Sequence, residues 1–261
     1  MSLEIACDPT FETLLQAHVA ALTGSLLDGA ARGPDGAGFV WSQAIPDPTL
    51  NFAYGIRTPA QFSWAGAASL GRGRPPAFLA RDEAEHDRLR ALFTPAATFP
   101  ASWMVARPPP APARAGDPAA LTLSPRVDAA FEEVFAHSFD DEAVRKHLRR
   151  TYLPALRRAK PGPGLALVHL TLDDAAGPAA CATLALRDGA AGLYNVSTRL
   201  DRQKRGLGAA LVHAALREAR ARGAAFVFLQ CPAGGPVEAL YARAGFRTLY
   251  RPSLLCTSLT A

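Results

Sequence analysis

The stretch Val196-Ser-Thr-Arg-Leu-Asp-Arg-Gln203-Lys-Arg-Gly206-Leu-Gly208-Ala-Ala carries the densest chemistry in the chain. It reads as a strand end, a basic turn and two glycines opening a helix. The first amides of a helix have no internal acceptor and carry partial positive charge. Glycines remove the Cβ that would keep an anion away from those amides. Arg199, Arg202, Lys204 and Arg205 crowd the same turn and are expected to add Coulombic attraction. A diphosphate is the anion such a loop suits. A Walker loop is excluded because no Lys-Ser or Lys-Thr follows these glycines. A Rossmann fingerprint fits poorly too, since the turn after Thr198 is long and charged and the strands before it read as hairpins.

Gln203-x-x-Gly206-x-Gly208 resembles the Q/R-x-x-G-x-G/A motif of the GNAT superfamily of acyl-CoA-dependent N-acyltransferases. Leu240-Tyr241-Ala-Arg-Ala-Gly245-Phe246 is similar to that family's closing L-Y-x-x-x-G-F motif, and the resemblance covers roughly residues 120–255. It implies acetyl-CoA as cosubstrate, no metal, and acetyl transfer to an amine by direct attack on the thioester. In such a protein Val196, Ser197 and Thr198 form the strand that pairs with the pantetheine arm, as an added strand would. A backbone amide near Val196 would stabilise the oxyanion. Gln203 belongs to the cofactor motif, and the amides of Lys204, Arg205, Gly206, Leu207, Gly208 and Ala209 would hold the diphosphate. Tyr241, at the matching family position, would protonate the leaving thiolate.

No general base is visible. An alkyl amine is only about one part in 10³ neutral at pH 7, a deficit of roughly 4 kcal/mol. Some relatives carry a glutamate where this chain has Leu229, and many carry an asparagine where it has Gly234. Water relayed from Gln230, a histidine, or a substrate amine of low pKa would each meet the need. His169, mid-strand, reads as structural, and His213, on the polar face of the cofactor helix, as solvated. Cys231 lacks an activating base and reads as a small core residue.

The elements that must position this loop follow from hydrophobic spacing. Of the 261 residues, 49% are hydrophobic and 20% charged, which excludes a disordered or collagen-like chain. No apolar run reaches the length of a membrane span, and the start has no leader pattern, so a cytoplasmic location without a membrane partner is expected. The four cysteines lie far apart, which suits reduced thiols better than a zinc site or disulfides. Residues 1–118 hold 9 basic and 11 acidic side chains and residues 119–261 hold 19 and 12, so the basic excess sits in the second half. No nucleic-acid motif accompanies that charge, and a nucleic-acid partner is not expected.

In the second half the pattern predicts a strand at 121–123 and helices at 127–137 and 141–158. Three antiparallel strands follow at 164–172, 179–187 and 192–198. A helix from Gly206 to Gly223, a strand at 224–229, a helix at 236–244 and a strand at 246–250 complete it. The first half predicts a helix from Pro9 to about Leu27, then strand, helix, strand, helix, strand over 50–105, a weathered copy of the same order. Its aromatic residues Phe39, Trp41, Phe52, Tyr54, Phe62 and Trp64 read as core. The proline-rich stretch 107–118 marks the boundary. The expected fold is α/β: two GNAT-like lobes, each a mixed, mostly antiparallel sheet flanked by helices. Residues 1–118 would form a degenerate lobe without CoA, and residues 119–261 the N-acetyltransferase domain. The acceptor is expected to be a small-molecule amine, with a protein amino terminus as the other candidate. A catalytically silent tandem acyl-CoA-binding or sensor protein is the competing reading.

Overall fold

The computed structural model describes residues 8–108 and 120–257. In chain order the helices are α1 Phe11–Leu22, α2 Pro59–Leu70, α3 Glu83–Leu92, α4 Ala129–Ala136, α5 Glu142–Arg150, α6 Tyr152–Arg157, α7 Leu207–Ala221 and α8 Pro236–Arg243. The strands of the first half are β1 Gly29–Arg32, β2 Gly38–Trp41, β3 Phe52–Tyr54, β4 Ala77–Ala80 and β5 Ala97–Ala106. Those of the second are β6 Leu121–Ser124, β7 Ala166–Asp174, β8 Gly177–Arg187, β9 Ala190–Thr198, β10 Phe226–Pro232, β11 Arg247–Tyr250 and β12 Ser253–Cys256. The proline-rich boundary lies for the most part outside the described residues.

Five helices begin on a side-chain cap, from Thr10, Thr58, Asp82, Asp128 and Asp141; each satisfies amides the helix cannot. Two expected helices are interrupted. The first stops at Leu22 rather than Leu27, because Gly24 takes φ +83° and packs against the Lys160 carbonyl, where a Cβ would lie 2.4 Å from the oxygen. The stretch 141–158 divides into α5 and α6 at Thr151, whose hydroxyl donates to the His147 carbonyl at 2.8 Å. Pro154 follows three residues later without an amide to continue the ladder.

A repeat is visible in the pairing. β3 and β4 are parallel and joined through α2; β9 and β10 are parallel and joined through α7. The other strand pairs are antiparallel, so each lobe has a mixed, mostly antiparallel sheet flanked by helices. The sheet order is β1-β2-β3-β4-β12-β5-β10-β9-β8-β7-β6, with β11 beside β5.

The halves trade strands. The beginning of β5 pairs with β12, from Cys256↔Ala97 to Ser253↔Pro100, and β12 also pairs with β4. The end of β5 lies between β10 and β11, from Pro232↔Ala101 to Val227↔Ala106 on one side and Arg247↔Val105 on the other. The chain's last described strand thus sits in the first half's sheet, and the first half's last strand sits in the second half's. Helix α1 crosses as well and packs on β8 and β9. One face of the second half's sheet buries Phe228 with Leu14, Phe131 and Val134 from α1 and α4. The other buries Val227 and Leu229 with Leu211, Val212, Ala215 and Tyr241 from α7 and α8.

Candidate functional site

The site begins where β9 and β10 part. Their parallel pairing runs only from Phe226↔Ala190 to Phe228↔Gly192. Beyond that, Leu193–Thr198 has no partner strand on its β10 side among the described residues. A bulge drives the separation: between Cys181↔Ser197 and Thr183↔Tyr194 the β9 strand carries one extra residue, and Asn195 adopts φ +54°. Asn195 Nδ2 donates to Thr183 Oγ1 at 3.2 Å, and Thr183 Oγ1 lies 3.0 Å from His169 Nδ1. The threonine hydroxyl thus accepts from Asn195 and pairs with His169 Nδ1. Buried His169, its pKa lowered to about 4 by desolvation, is therefore a neutral prop for the bulge.

At the end of β9 the chain makes one short turn and enters α7. Lys204 and Gly206 adopt φ +62° and +82°, so successive amides point outward rather than into a ladder. Among the described residues, none of the six amides from Lys204 to Ala209 has a hydrogen-bond acceptor, and Gly206 supplies no side-chain cap. Gly208 packs on the strand end: a Cβ there would lie 3.3 Å from Thr198 Oγ1 and 3.9 Å from Leu240 Cδ1. Gln203 Nε2 donates to the Thr198 carbonyl at 3.2 Å, so its side chain braces the turn.

The basic residues are arranged differently from the sequence expectation. Arg199 pairs with Glu133 and, at 3.1 Å, with Asp201. Arg202 pairs with Asp174 at 3.0 Å and Asp201 at 3.1 Å. Arg205 donates to the Asp201 carbonyl and lies 3.9 Å from Asp174. Their charge is largely answered within the protein, so the arginines add less Coulombic attraction at the turn than the sequence suggests. Lys204, exposed, has no ion pair among the described residues. The amides, not the arginines, are the principal donors of this loop.

The corresponding turn of the first half is closed. At α2, Gln61 N donates to Thr58 Oγ1 at 3.3 Å, while Gln61 Oε1 accepts from the amides of Arg57 at 2.7 Å and Thr58 at 3.1 Å. Pro59 has no amide to offer. This reciprocal capping box uses the donors that α7 leaves open.

Tyr241 projects from α8 into the core on the α7 side of the sheet, 7% exposed, with its ring edge-on to Phe246 at 5.8 Å. Burial pushes its pKa well above the usual tyrosine value, and the Cys231 thiol adds to that rise. Cys231 is itself pushed up to about 11 by burial and directs its Sγ at Met104 Sδ, 3.8 Å away, so it is a packed thiol.

The sequence offers no cue to the opposite face. His18 of α1 is 8% exposed and pairs through Nδ1 with the Tyr194 hydroxyl of β9 at 3.1 Å, while its ring lies 5.5 Å from that of Trp103 on β5. It therefore bridges the sheet at the level where β9 and β10 separate. Burial lowers its pKa to about 4, so it is neutral at pH 7. In the sequence His18 is one position in an apolar helical stripe of the other half.

Three comparisons bear on what this arrangement is. Residues 127–246 match the model of the acetyltransferase (GNAT) family. This segment is a GNAT domain. The whole fold resembles a GCN5-related N-acetyltransferase from Kribbella flavida, with TM-score 0.58, 19% identity and 94% of this chain and 93% of that chain covered. It also resembles a tandem GNAT protein from the clavulanic acid biosynthesis pathway, with TM-score 0.58, 14% identity and coverages of 86% and 79%. A third is a GCN5-related N-acetyltransferase from Sphaerobacter thermophilus, with TM-score 0.56, 17% identity and coverages of 86% and 82%. At these identities the likeness is one of fold. No curated protein matches the sequence. No helix of the described residues is long and apolar enough to cross a membrane.

Within the GNAT domain, the residues expected to bind cofactor lie along one continuous path. Val196, Ser197 and Thr198 sit on the open part of β9, Gln203 to Gly206 form the turn, and Leu207, Gly208 and Ala209 begin α7. Tyr241 stands on the same side of the sheet as α7.

Proposed function

We propose that the chain transfers an acetyl group from acetyl-CoA to an amine, with one cofactor site per chain, in the lobe formed mainly by residues 119–261. The open amides of Lys204–Ala209 carry this reading. A row of six unanswered donors at the start of a 15-residue helix is the counterpart of a diphosphate, and the capped start of α2 supports the assignment of residues 1–118 to a lobe without one. The unpaired edge of Leu193–Thr198 can take the amides of a pantetheine arm as a short added strand. That path leads a thioester into the wedge between β9 and β10, and bound acetyl-CoA supplies the activated acyl carbon.

This chain's own groups then orient the ester and move protons. A backbone amide near Val196 faces the place where negative charge develops on the carbonyl oxygen. Tyr241, kept protonated by burial, gives its proton to the departing sulfur. No carboxylate stands at the positions of Leu229 and Gly234, so the amine must lose its proton by another route.

Calorimetry with CoA tests the reading: one site per chain is expected. Two sites would contradict the assignment of the first lobe, and none at millimolar CoA would end the proposal. A thiol-release assay with acetyl-CoA and amines then separates an enzyme from a silent binding module, which would bind without turnover.

A further inference from the structure

On the face opposite α7, a cavity of about 540 Å³ opens beside the end of β10, at the junction of the two lobes. Phe52, Leu79, Trp103 and Leu254 form apolar wall, and Phe99, 46% exposed, stands at its rim. Its polar groups are uncharged: His18, Thr49 and Gln230. Among the described residues no Asp, Glu, Lys or Arg lines it. Two polar atoms of the lining residues lack partners among the described residues. Gln230 Nε2 is buried without a hydrogen bond, and His18, bonded through Nδ1 alone, leaves Nε2 without a partner among the described residues.

We infer that this cavity is the acceptor site, that it takes an apolar aromatic amine carrying an oxygen acceptor, and that His18 receives the proton the amine gives up. The inference rests on the acetyl-transfer reading and names its substrate class. Three observations carry it. First, a cationic amine entering a chargeless, apolar cavity would shed its hydration with no counter-ion to replace it. An aryl amine is protonated only in acid and arrives neutral, which also removes the deprotonation problem left by Leu229 and Gly234. Second, the Thr49 hydroxyl and the Gln230 amide belong to lining residues and can donate to an ether, hydroxyl or carbonyl oxygen on the acceptor. Third, His18 spans from Tyr194 on β9 to Trp103 on β5, across the strand whose end borders the wedge. In the tautomer that donates Nδ1–H to the Tyr194 hydroxyl, Nε2 keeps the lone pair that takes the proton.

The step balances. The amine nitrogen forms a bond to the acetyl carbon as the carbon–sulfur bond breaks. His18 Nε2 takes the proton from nitrogen and Tyr241 gives one to sulfur. Exchange with solvent restores both residues. Products are the N-aryl acetamide and CoA.

The test uses p-anisidine, an aryl amine with an ether oxygen, against spermidine, a polycation, on the full chain. Without CoA, p-anisidine is expected to quench tryptophan fluorescence saturably, and spermidine is not. Phe99→Ala, at the exposed rim, should weaken that quenching severalfold while CoA calorimetry stays unchanged. With acetyl-CoA at pH 7, kcat/KM for p-anisidine should exceed that for spermidine at least 100-fold. His18→Gln should lower kcat for p-anisidine at least tenfold with little change in KM, a split that loss of packing alone would not give. Preference for spermidine, equal rates, or no quenching by p-anisidine would overturn the inference while leaving CoA binding as observed. Absence of CoA heat would instead strike the acetyl-transfer reading, and calorimetry reads that separately.

Discussion

Replacing Tyr241 by Phe separates chemistry from packing. The side chain is 7% exposed and packs within the cluster beneath α7 and α8. Its hydroxyl makes no hydrogen bond among the described residues, and desolvation and the Cys231 thiol alone account for the raised pKa. Removing that hydroxyl therefore orphans no partner. The cost in stability should stay within about 0.5 kcal/mol, a thermal midpoint change of no more than about 2 °C for a chain of this size. If the phenol protonates the leaving thiolate, its loss should lower kcat by ~10²–10⁴, or about 3–5 kcal/mol of transition-state stabilisation. CoA affinity should not change, because the open amides proposed to hold the diphosphate lie at Lys204–Ala209.

The pH dependence adds a second reading of the same group. Burial raises the pKa of Tyr241, so the proton-bearing form persists through and beyond the ordinary tyrosine range. Wild-type kcat should accordingly hold on the alkaline side up to about pH 10. Thiol release at saturating acetyl-CoA, with calorimetry and thermal denaturation in parallel, gives all three quantities. A folded Tyr241→Phe chain that retains more than about a third of wild-type kcat would refute the acid role.

Other perturbations follow from the same geometry. Gly206→Ala introduces a methyl into open space but at φ +82°, a strain of about 1–2 kcal/mol; as the turn relaxes from that conformation the CoA dissociation constant should rise about tenfold, read by calorimetry. Asp174→Asn releases Arg202, and in part Arg205, from its carboxylate; CoA should then bind about two- to fivefold more tightly at low salt, with a steeper salt dependence than the wild type. His18 and His169 are both held at about 4 against 6.5 in the unfolded chain. The unfolded state takes up their protons first as pH falls, so stability is complete above about pH 6.5 and is lost between about 6.5 and 4, at up to ~1.4 kcal/mol per pH unit for each group. Urea midpoints across that range should show the loss, and His18→Gln should remove about half of its slope.

The turn and helix start around Gly206 were legible because their signal is local. Glycines at 206 and 208 and the strand-turn-helix order around them meet conformational demands, a positive φ and a close approach to Thr198, that neighbouring residues alone impose. The pairing of the arginines was not legible. Glu133 and Asp174, which answer Arg199 and Arg202, lie far away in sequence and meet them only through the fold. His18 was hidden for the same reason. Its spacing on α1 marks it as core, correctly, but nothing local says that α1 lies on β8 and β9 of the other half.

The exchange of β5 and β12 is the most consequential feature beyond local reading. β12 has four residues, and its choice between β4 and its own half is decided by tertiary contacts. Its consequence is that neither half is complete in sequence. Without residues 97–106, β10 would lose its antiparallel neighbour and expose an edge beside the wedge, and β11 would lose its partner. Without α1, His18 would be missing from the face where β9 and β10 part. A first half whose own helix start is capped shut still supplies a strand and a wall to the open site of the second. That division of labour fits the proposed function: the half whose α2 start is capped completes the sheet and walls the cavity beside the open turn of the other.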